Sequence, residues 1–114
     1  MRAYAVRQLH RASNDQLELY LLQLVQALKF EDTAWNAASD EQRQVASTRL
    51  VDLLCERSTQ SHTLGTKLYW YVSVERIDGR YRELFARVDR QLQASLEESN
   101  RDLLVMLKLS LIHI

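Results

Sequence analysis

Apolar residues crowd segment 16–30, QLELYLLQLVQALKF, so densely that a helix formed there keeps almost no polar face. Most of them fall on one stripe at helical spacings, and two widen it: Leu17, Tyr20, Leu21, Leu24, Val25 and Leu28, with Leu19 and Leu22 on the flank. A helix this apolar must be covered on several sides. Polar residues interrupt it, and it is shorter than the roughly 20 apolar residues that span a bilayer. The segment therefore predicts the central helix of a soluble helical domain, with no transmembrane segment.

Helix start signals occur along the whole chain. Proline is absent and glycine occurs only at Gly65 and Gly79, so polar clusters must separate the helices. Ser13 with Gln16, and Ser39 with Gln42, have the spacing of a capping box. Together with Ser61 or Thr63, the Asp78-Gly79 pair, and Ser99 with Asp102, these signals predict helices at 2–12, 14–29, 40–57, 62–76, 80–97 and about 99–108.

The expected fold is all-α, with antiparallel helix pairs forming a short, armadillo-like α-solenoid or a bundle. No repeat of fixed period distinguishes these two architectures. A chain of 114 residues fits one domain. The 15 basic residues balance 15 acidic ones, which argues against a nucleic-acid partner. A single cysteine and an N-terminus without a secretory apolar core favour a cytoplasmic location.

The pattern of chemically active residues indicates no catalytic, cofactor-binding or metal site. The two glycines are too far apart to wrap a phosphate with backbone amides. His10, His62 and His113 lack ligand spacing with one another or with Cys55, so solvent-facing or capping histidines are the better interpretation. Cys55 fits a small buried hydrophobe better than a nucleophile. Three acidic pairs fit helix ends or linkers better than catalytic dyads: Glu31-Asp32, Asp40-Glu41 and Glu97-Glu98.

The aromatic run Tyr69-Trp70-Tyr71 cannot form one stacking face, because successive helical positions point about 100° apart. The run must therefore contact two packing surfaces or expose one ring. Core packing is the first interpretation, and a docking surface is the alternative.

Three segments carry a resemblance to a known family: RAYAVRQL at 2–9, DQLELYLLQLVQALKFE at 15–31 and KLYWYVSVE at 67–75. They resemble the accessory helical domain of phosphatidylinositol 3-kinases. The core LLQLVQALKFE is shared among phosphoinositide kinases. LYWYVSVE is most similar to class III, since class I enzymes typically carry a Phe-Trp-His type sequence there. Many class III enzymes also carry a long polar insertion after the position of Glu31, where this chain has a linker of ordinary length.

The resemblance covers residues 2–108 as a partial helical domain and implies further domains in the parent protein. A membrane-binding β-sandwich domain would precede it and a kinase domain would follow. The last residues, LSLIHI at 109–114, match nothing in the family, so we expect a non-native tail, the alternative being an ordinary apolar helix end.

A class III parent would transfer the γ-phosphate of ATP to the 3-hydroxyl of phosphatidylinositol, with magnesium, at endosomal and autophagic membranes. The resemblance also implies a pseudokinase-like regulatory subunit and a coiled-coil autophagy scaffold as partners. The piece itself would be an inactive helical scaffold, because no stretch supplies the parts of a phosphoryl-transfer site together. The alternatives are the helical domain of a class I phosphatidylinositol 3-kinase or a phosphatidylinositol 4-kinase, or a free-standing helical interaction module.

The resemblance also implies which helices pack together inside the domain. One face of the 14–29 helix is expected to be buried against the helix at 62–76. The residues concerned are Leu21, Leu24, Val25 and Leu28 on the first, and Leu68, Trp70, Tyr71 and Val74 on the second.

Overall fold

The computed structural model describes residues 8–41, 49–78 and 80–112, and these form six helices without a strand. We number them α1 (Asn14–Leu19), α2 (Leu21–Ala37), α3 (Leu50–Gln60), α4 (His62–Asp78), α5 (Arg82–Ser99) and α6 (Arg101–Ile112). The predicted all-α fold is confirmed. Residues 2–7 of the predicted first helix lie outside the described residues, as do Gln42, Gly79 and His113.

The start of α1 follows the predicted capping box. The Gln16 backbone N–H donates to Ser13 Oγ at 3.1 Å, and the Ser13 N–H donates to Gln16 Oε1 at 2.9 Å. The expected helix at 14–29, however, divides at Tyr20 (φ −109°, ψ 13°), and its second part continues to Ala37. No glycine or proline marks this break, so the local sequence gave no signal for it.

The capping signals predicted some of the later helix boundaries and missed others. Ser61 Oγ accepts from the Leu64 N–H at 3.2 Å, so α4 begins at His62 as predicted. Before α6 the acceptor is Asn100 Oδ1 rather than Ser99, with the Leu103 N–H at 3.4 Å. The helix predicted at 40–57 is wrong in being continuous, because Arg49 is extended (φ −92°, ψ 153°) and α3 begins after it, while residues 42–48 lie outside the described residues. The α6 helix also continues to Ile112, beyond the predicted end at 108.

The hydrophobic core draws on all six helices, and α4 lies at its centre, since α4 packs against each of the other five. The largest fully buried side chains are mostly leucines: Phe85, Leu17, Leu21, Leu53, Leu54, Leu64, Leu68, Leu92, Leu96, Leu103, Leu107 and Val25. The prediction that segment 16–30 forms the central helix is therefore wrong. Leu19, Tyr20 and Leu22 are exposed, because α1 and α2 lie on one side of α4 and turn their second apolar flank outward.

The expected contact between α2 and α4 exists, but three of its predicted members are misplaced: Leu24, Trp70 and Val74. Leu21, Val25 and Leu28 are buried on α2, whereas Leu24 is only half-buried at the edge of the core. On α4, Leu68 is buried and Val74 is 57% exposed. Val74 faces away because the core side of α4 is already filled by residues such as Leu64, Leu68 and Val72.

Gly65 lets three helices approach one another closely. A Cβ atom at this position would lie 2.9 Å from the backbone oxygen of Ser58 on α3 and 3.0 Å from Leu103 Cδ2 on α6. Side chains do not normally approach that closely, so only glycine fits here without a shift. The glycine in α4 therefore serves helix packing, and it is buried in a helix rather than placed in a phosphate-binding loop.

Candidate interaction surface

The structure keeps the candidate catalytic residues apart. His62 is exposed at the start of α4, His10 is half-buried ahead of α1, and Cys55 is buried on α3. Across the described ranges, no group of three or more His, Cys, Asp or Glu side chains could hold a metal ion. Likewise, no helix in the described part of the chain is long and apolar enough to cross a membrane.

Cys55 lies in the core, and its burial raises the pKa of the thiol to about 12, with the nearby Asp52 carboxylate adding to the shift. The thiolate is the reactive form of cysteine. At neutral pH the folded chain therefore holds a protonated, unreactive thiol, which agrees with the interpretation of Cys55 as a small buried hydrophobe.

The buried thiol makes a pH-dependent contribution to stability. Above pH 9 the unfolded chain ionises Cys55 near its ordinary pKa of 9.0, while the folded chain keeps the proton until about 12. Unfolding is thereby favoured as the pH rises, and the loss between pH 8 and pH 10 is expected to be about 1.4 kcal/mol. Urea unfolding of the chain and of Cys55→Ala at both pH values measures this loss of stability. Subtracting the result for Cys55→Ala cancels the contributions of the other titrating groups. Equal pH dependence in both forms would contradict this assignment.

Glu31 is part of a structural contact between helices. It lies within α2 rather than at a helix end, so the prediction for the Glu31-Asp32 pair is wrong in its location. Its carboxylate accepts from the Leu50 N–H at 2.5 Å and from the Val51 N–H at 3.3 Å. These amides belong to the first turn of α3, which has no intrahelical acceptors for them and favours negative charge. Glu31 thus caps α3 from a different helix.

Two arginines complete this contact between α2, α3 and α5. Arg49 lies 3.7 Å from Glu31 and 3.9 Å from Asp32, and its guanidinium stacks 4.5 Å from the ring centre of Trp35. Arg87 on α5 reaches Asp32 at 3.3 Å. The four charges border a cavity of about 160 Å³. Since each arginine already faces a carboxylate, the cluster suits bracing of the helices better than binding of an anion.

The charged side chains described on α4 are directed toward its neighbours. Lys67 bonds Glu18 of α1 at 2.6 Å, and Glu75 meets Lys29 and Gln26 of α2 at 3.4 and 3.0 Å. Arg76 bonds the buried carboxylate of Asp89 on α5 at 2.9 Å, and Gln93 donates to the same carboxylate at 2.8 Å. These lysine, glutamate and arginine side chains are thus neutralised by contacts between helices.

The side of α4 that faces away from the core is apolar. Trp70, Val74 and Ile77 follow the spacing i, i+4, i+7 and so share one stripe, which we call the outer α4 stripe. Val74 is 57% and Ile77 72% exposed, and Trp70 is half-buried. Contiguous exposed apolar side chains are one sign of an interaction site. The outer α4 stripe is therefore a candidate interaction surface.

The aromatic run divides between two surfaces, as helical geometry required. Tyr69 is buried in the core, where desolvation raises its pKa, and Tyr71 packs against the core edge. Trp70 belongs to the outer α4 stripe. The prediction that the run could not form one face is confirmed, because Tyr69 lies in the core and Trp70 lies on the outer side of α4.

Comparison with known proteins gives the family. The model of the phosphoinositide 3-kinase family accessory domain (PIK domain) matches residues 1–105. The fission yeast Schizosaccharomyces pombe phosphatidylinositol 3-kinase pik3 is 42% identical over 99 residues, which is 87% of this chain and 12% of that protein. Phosphatidylinositol 3-kinase VPS34 of Arabidopsis thaliana is 40% identical over 85 residues, 75% of this chain and 9% of the relative.

A human relative, phosphatidylinositol 3-kinase C2 domain-containing subunit gamma, is 37% identical over 93 residues, 82% of this chain and 6% of its own length. No solved structure matches. The chain thus spans 12% or less of the length of these three relatives. The similarity to class III enzymes is confirmed by the VPS34 relatives, which are about 40% identical. The chain therefore belongs to the accessory (PIK) domain family of the phosphoinositide 3-kinases.

Proposed function

We propose that this chain is the helical scaffold of a class III phosphatidylinositol 3-kinase, placed between a lipid-binding domain and a kinase domain. The whole protein would transfer the γ-phosphate of ATP to the 3-hydroxyl of phosphatidylinositol with the help of magnesium. The names of the relatives support this parent activity. The chain's own part would be mechanical, since it would fix the two neighbouring domains relative to each other.

The observation that carries the scaffold role is the set of charged contacts that tie the helices together around α4. Ion pairs join α4 to α1, to α2 and to α5. In addition, α2 is joined to α3 by the Glu31 cap and to α5 by an ion pair. They add to a core that all six helices share. Helices that share one core and are joined by such contacts suit a spacer between two domains.

The described residues do not fit ATP and magnesium. Gly65 is packed against Ser58 and Leu103 within a helix, so its backbone cannot wrap a phosphate. In the ranges that the structure covers, no group of three or more His, Cys, Asp or Glu side chains could hold a metal ion, and Glu31, Asp32 and Asp89 contact backbone amides or arginine side chains. Nucleotide and metal would therefore be held by another part of the parent protein, and we assign no reaction step to this chain.

The outer α4 stripe would be the surface on which another part of the assembly rests. The kinase and lipid-binding domains of the parent chain are the first candidates, followed by a pseudokinase-like regulatory subunit and an autophagy scaffold. The parent would work peripherally at endosomal and autophagic membranes.

A chimera tests both the scaffold role and its surface. The 99-residue match in the fission yeast kinase would be replaced by this chain, and phosphorylation of phosphatidylinositol in vesicles would be measured. The chimera is expected to be active. Val74→Asp with Ile77→Asp should leave the amount of folded protein unchanged but lower activity at least about tenfold, since buried charges disrupt an interface by more than 1.4 kcal/mol.

The matched control places the same two charges on a different exposed surface, with Leu19→Asp and Leu22→Asp. This control should retain most of the activity if the outer α4 stripe is the contact that matters. A chimera that accumulates normally but phosphorylates no lipid would overturn the scaffold proposal. Equal activity of the stripe variant and the control would overturn the surface assignment.

A further inference from the structure

Arg57 makes an unusual set of contacts with the part of the chain that precedes α1. Its Nη1 donates to the Ala12 carbonyl oxygen at 2.8 Å and to Asn14 Oδ1 at 3.2 Å, and its Nη2 donates to the His10 carbonyl oxygen at 2.5 Å. The side chain extends from α3, more than forty residues later in the chain, and is half-buried. One guanidinium thus contacts three alternate positions, His10 and Ala12 ahead of α1 and Asn14 at the start of α1.

The entering segment, residues 8–13, also has backbone bonds of its own. The Arg11 N–H donates to the Gln8 oxygen at 3.1 Å and the Ala12 N–H to the Leu9 oxygen at 3.0 Å. Ser13 is bonded to α1, because its N–H donates to Gln16 Oε1 and its carbonyl oxygen accepts from the Leu17 N–H. Leu9 and Ala12 contact the edge of the core but also border a cavity of about 250 Å³, so their apolar packing is incomplete. Incomplete packing stabilises the position of a short segment only weakly, because the dispersion energy between atoms falls off steeply across a gap. Arg57 therefore adds the side-chain hydrogen bonds that tie His10 and Ala12 to α3.

We propose that Arg57 is a positioning residue that holds His10 and Ala12 against α3 and thereby fixes the direction in which the chain enters α1. In the parent kinase this direction sets the orientation of the preceding domain toward the membrane, a step that rests on the proposed function. The device is a clamp between α3 and the entering segment, and it works without touching substrate.

The clamp requires arginine rather than any cation. A guanidinium presents five N–H donors in a rigid plane, so that two nitrogens reach acceptors on both sides of a bend. Lysine keeps the charge and most of the apolar stem but offers one compact ammonium, which cannot reach all three acceptors together. Arg57→Lys is therefore a mild substitution that removes the clamp and leaves charge and packing nearly intact. Arg90→Lys, at an exposed position of α5, is the matched control.

The clamp itself is tested in the 114-residue chain by amide hydrogen exchange. In Arg57→Lys, amides 11–14 are expected to exchange at least about tenfold faster, because hydrogen bonds from a charged donor are worth more than this factor. Amides in α4 and α5 should keep their rates, as should all amides in Arg90→Lys. Unchanged exchange at 11–14, or an equal increase throughout the chain, would overturn the clamp.

The consequence for orientation is tested in the chimeric kinase. Arg57→Lys should lower phosphorylation of phosphatidylinositol in vesicles several-fold, while phosphorylation of short-chain phosphatidylinositol free in solution stays unchanged. A residue that serves only stability would lower both activities together. Faster exchange with full activity on vesicles would overturn the orienting role. A chimera that is inactive with Arg57 in place would instead overturn the proposed function, and the exchange experiment would still decide the clamp.

Discussion

Phe85→Ala is expected to lower the free energy of unfolding by about 3–5 kcal/mol, the usual cost of removing a phenylalanine ring from a packed core. Phe85 on α5 is fully buried, and its helix packs against α3, α4 and α6. Because α3 and α6 also pack against α4, they are held in place and would not collapse fully into the space. Urea unfolding measures the change, which is a large share of the roughly 5–15 kcal/mol that stabilises a small domain.

The other phenylalanine of the chain supplies the control. Phe30 on α2 is 65% exposed, and Phe30→Ala should change stability by no more than about 0.5 kcal/mol. The chemical change is the same in both variants, so burial alone separates them. Similar losses from both substitutions would mean that α5 does not occupy the centre of the core in the way the structure shows.

Gly65→Val is expected to destabilise the chain by about 2–3 kcal/mol, although valine has a better helix propensity than glycine. The reason is the close approach of Ser58 and Leu103 to the position that the new Cβ would take. The oxygen of Ser58 belongs to the backbone of α3 and cannot move aside by a change of rotamer. Urea unfolding gives the size of the loss.

Thr63→Val tests the same type of side chain on an exposed position of the same helix. It should leave stability within about 0.5 kcal/mol. A stabilising effect of Gly65→Val would show that α3 and α6 lie further from α4 than the structure places them.

Features that depend on residues close together in the sequence could be predicted from it. The capping box of Ser13 and Gln16 and the cap by Ser61 were recognisable, because each partner lies three residues from the other. The absence of proline and the helical spacings gave the all-α fold. The break at Tyr20 carried no such signal.

Contacts between distant residues could not be predicted in this way. Glu31 caps α3 across about 20 positions, and Arg57 reaches residues more than forty positions away, so no window along the chain contains both partners. The sequence pattern also could not show which side of α4 faces away from the core. Val74 and Leu68 are both apolar, and the pattern alone cannot tell which of two apolar faces the core will cover.

The cap that Glu31 gives to α3 has a consequence for how this family can vary. Because α2 itself supplies the acceptors for the first amides of α3, the place where α3 begins is set by α2 and not by the length of the connection between Ala37 and Leu50. Lengthening a flexible connection costs little, about 0.6 kcal/mol for each doubling. Polar residues could therefore be inserted between α2 and α3 without moving the start of α3.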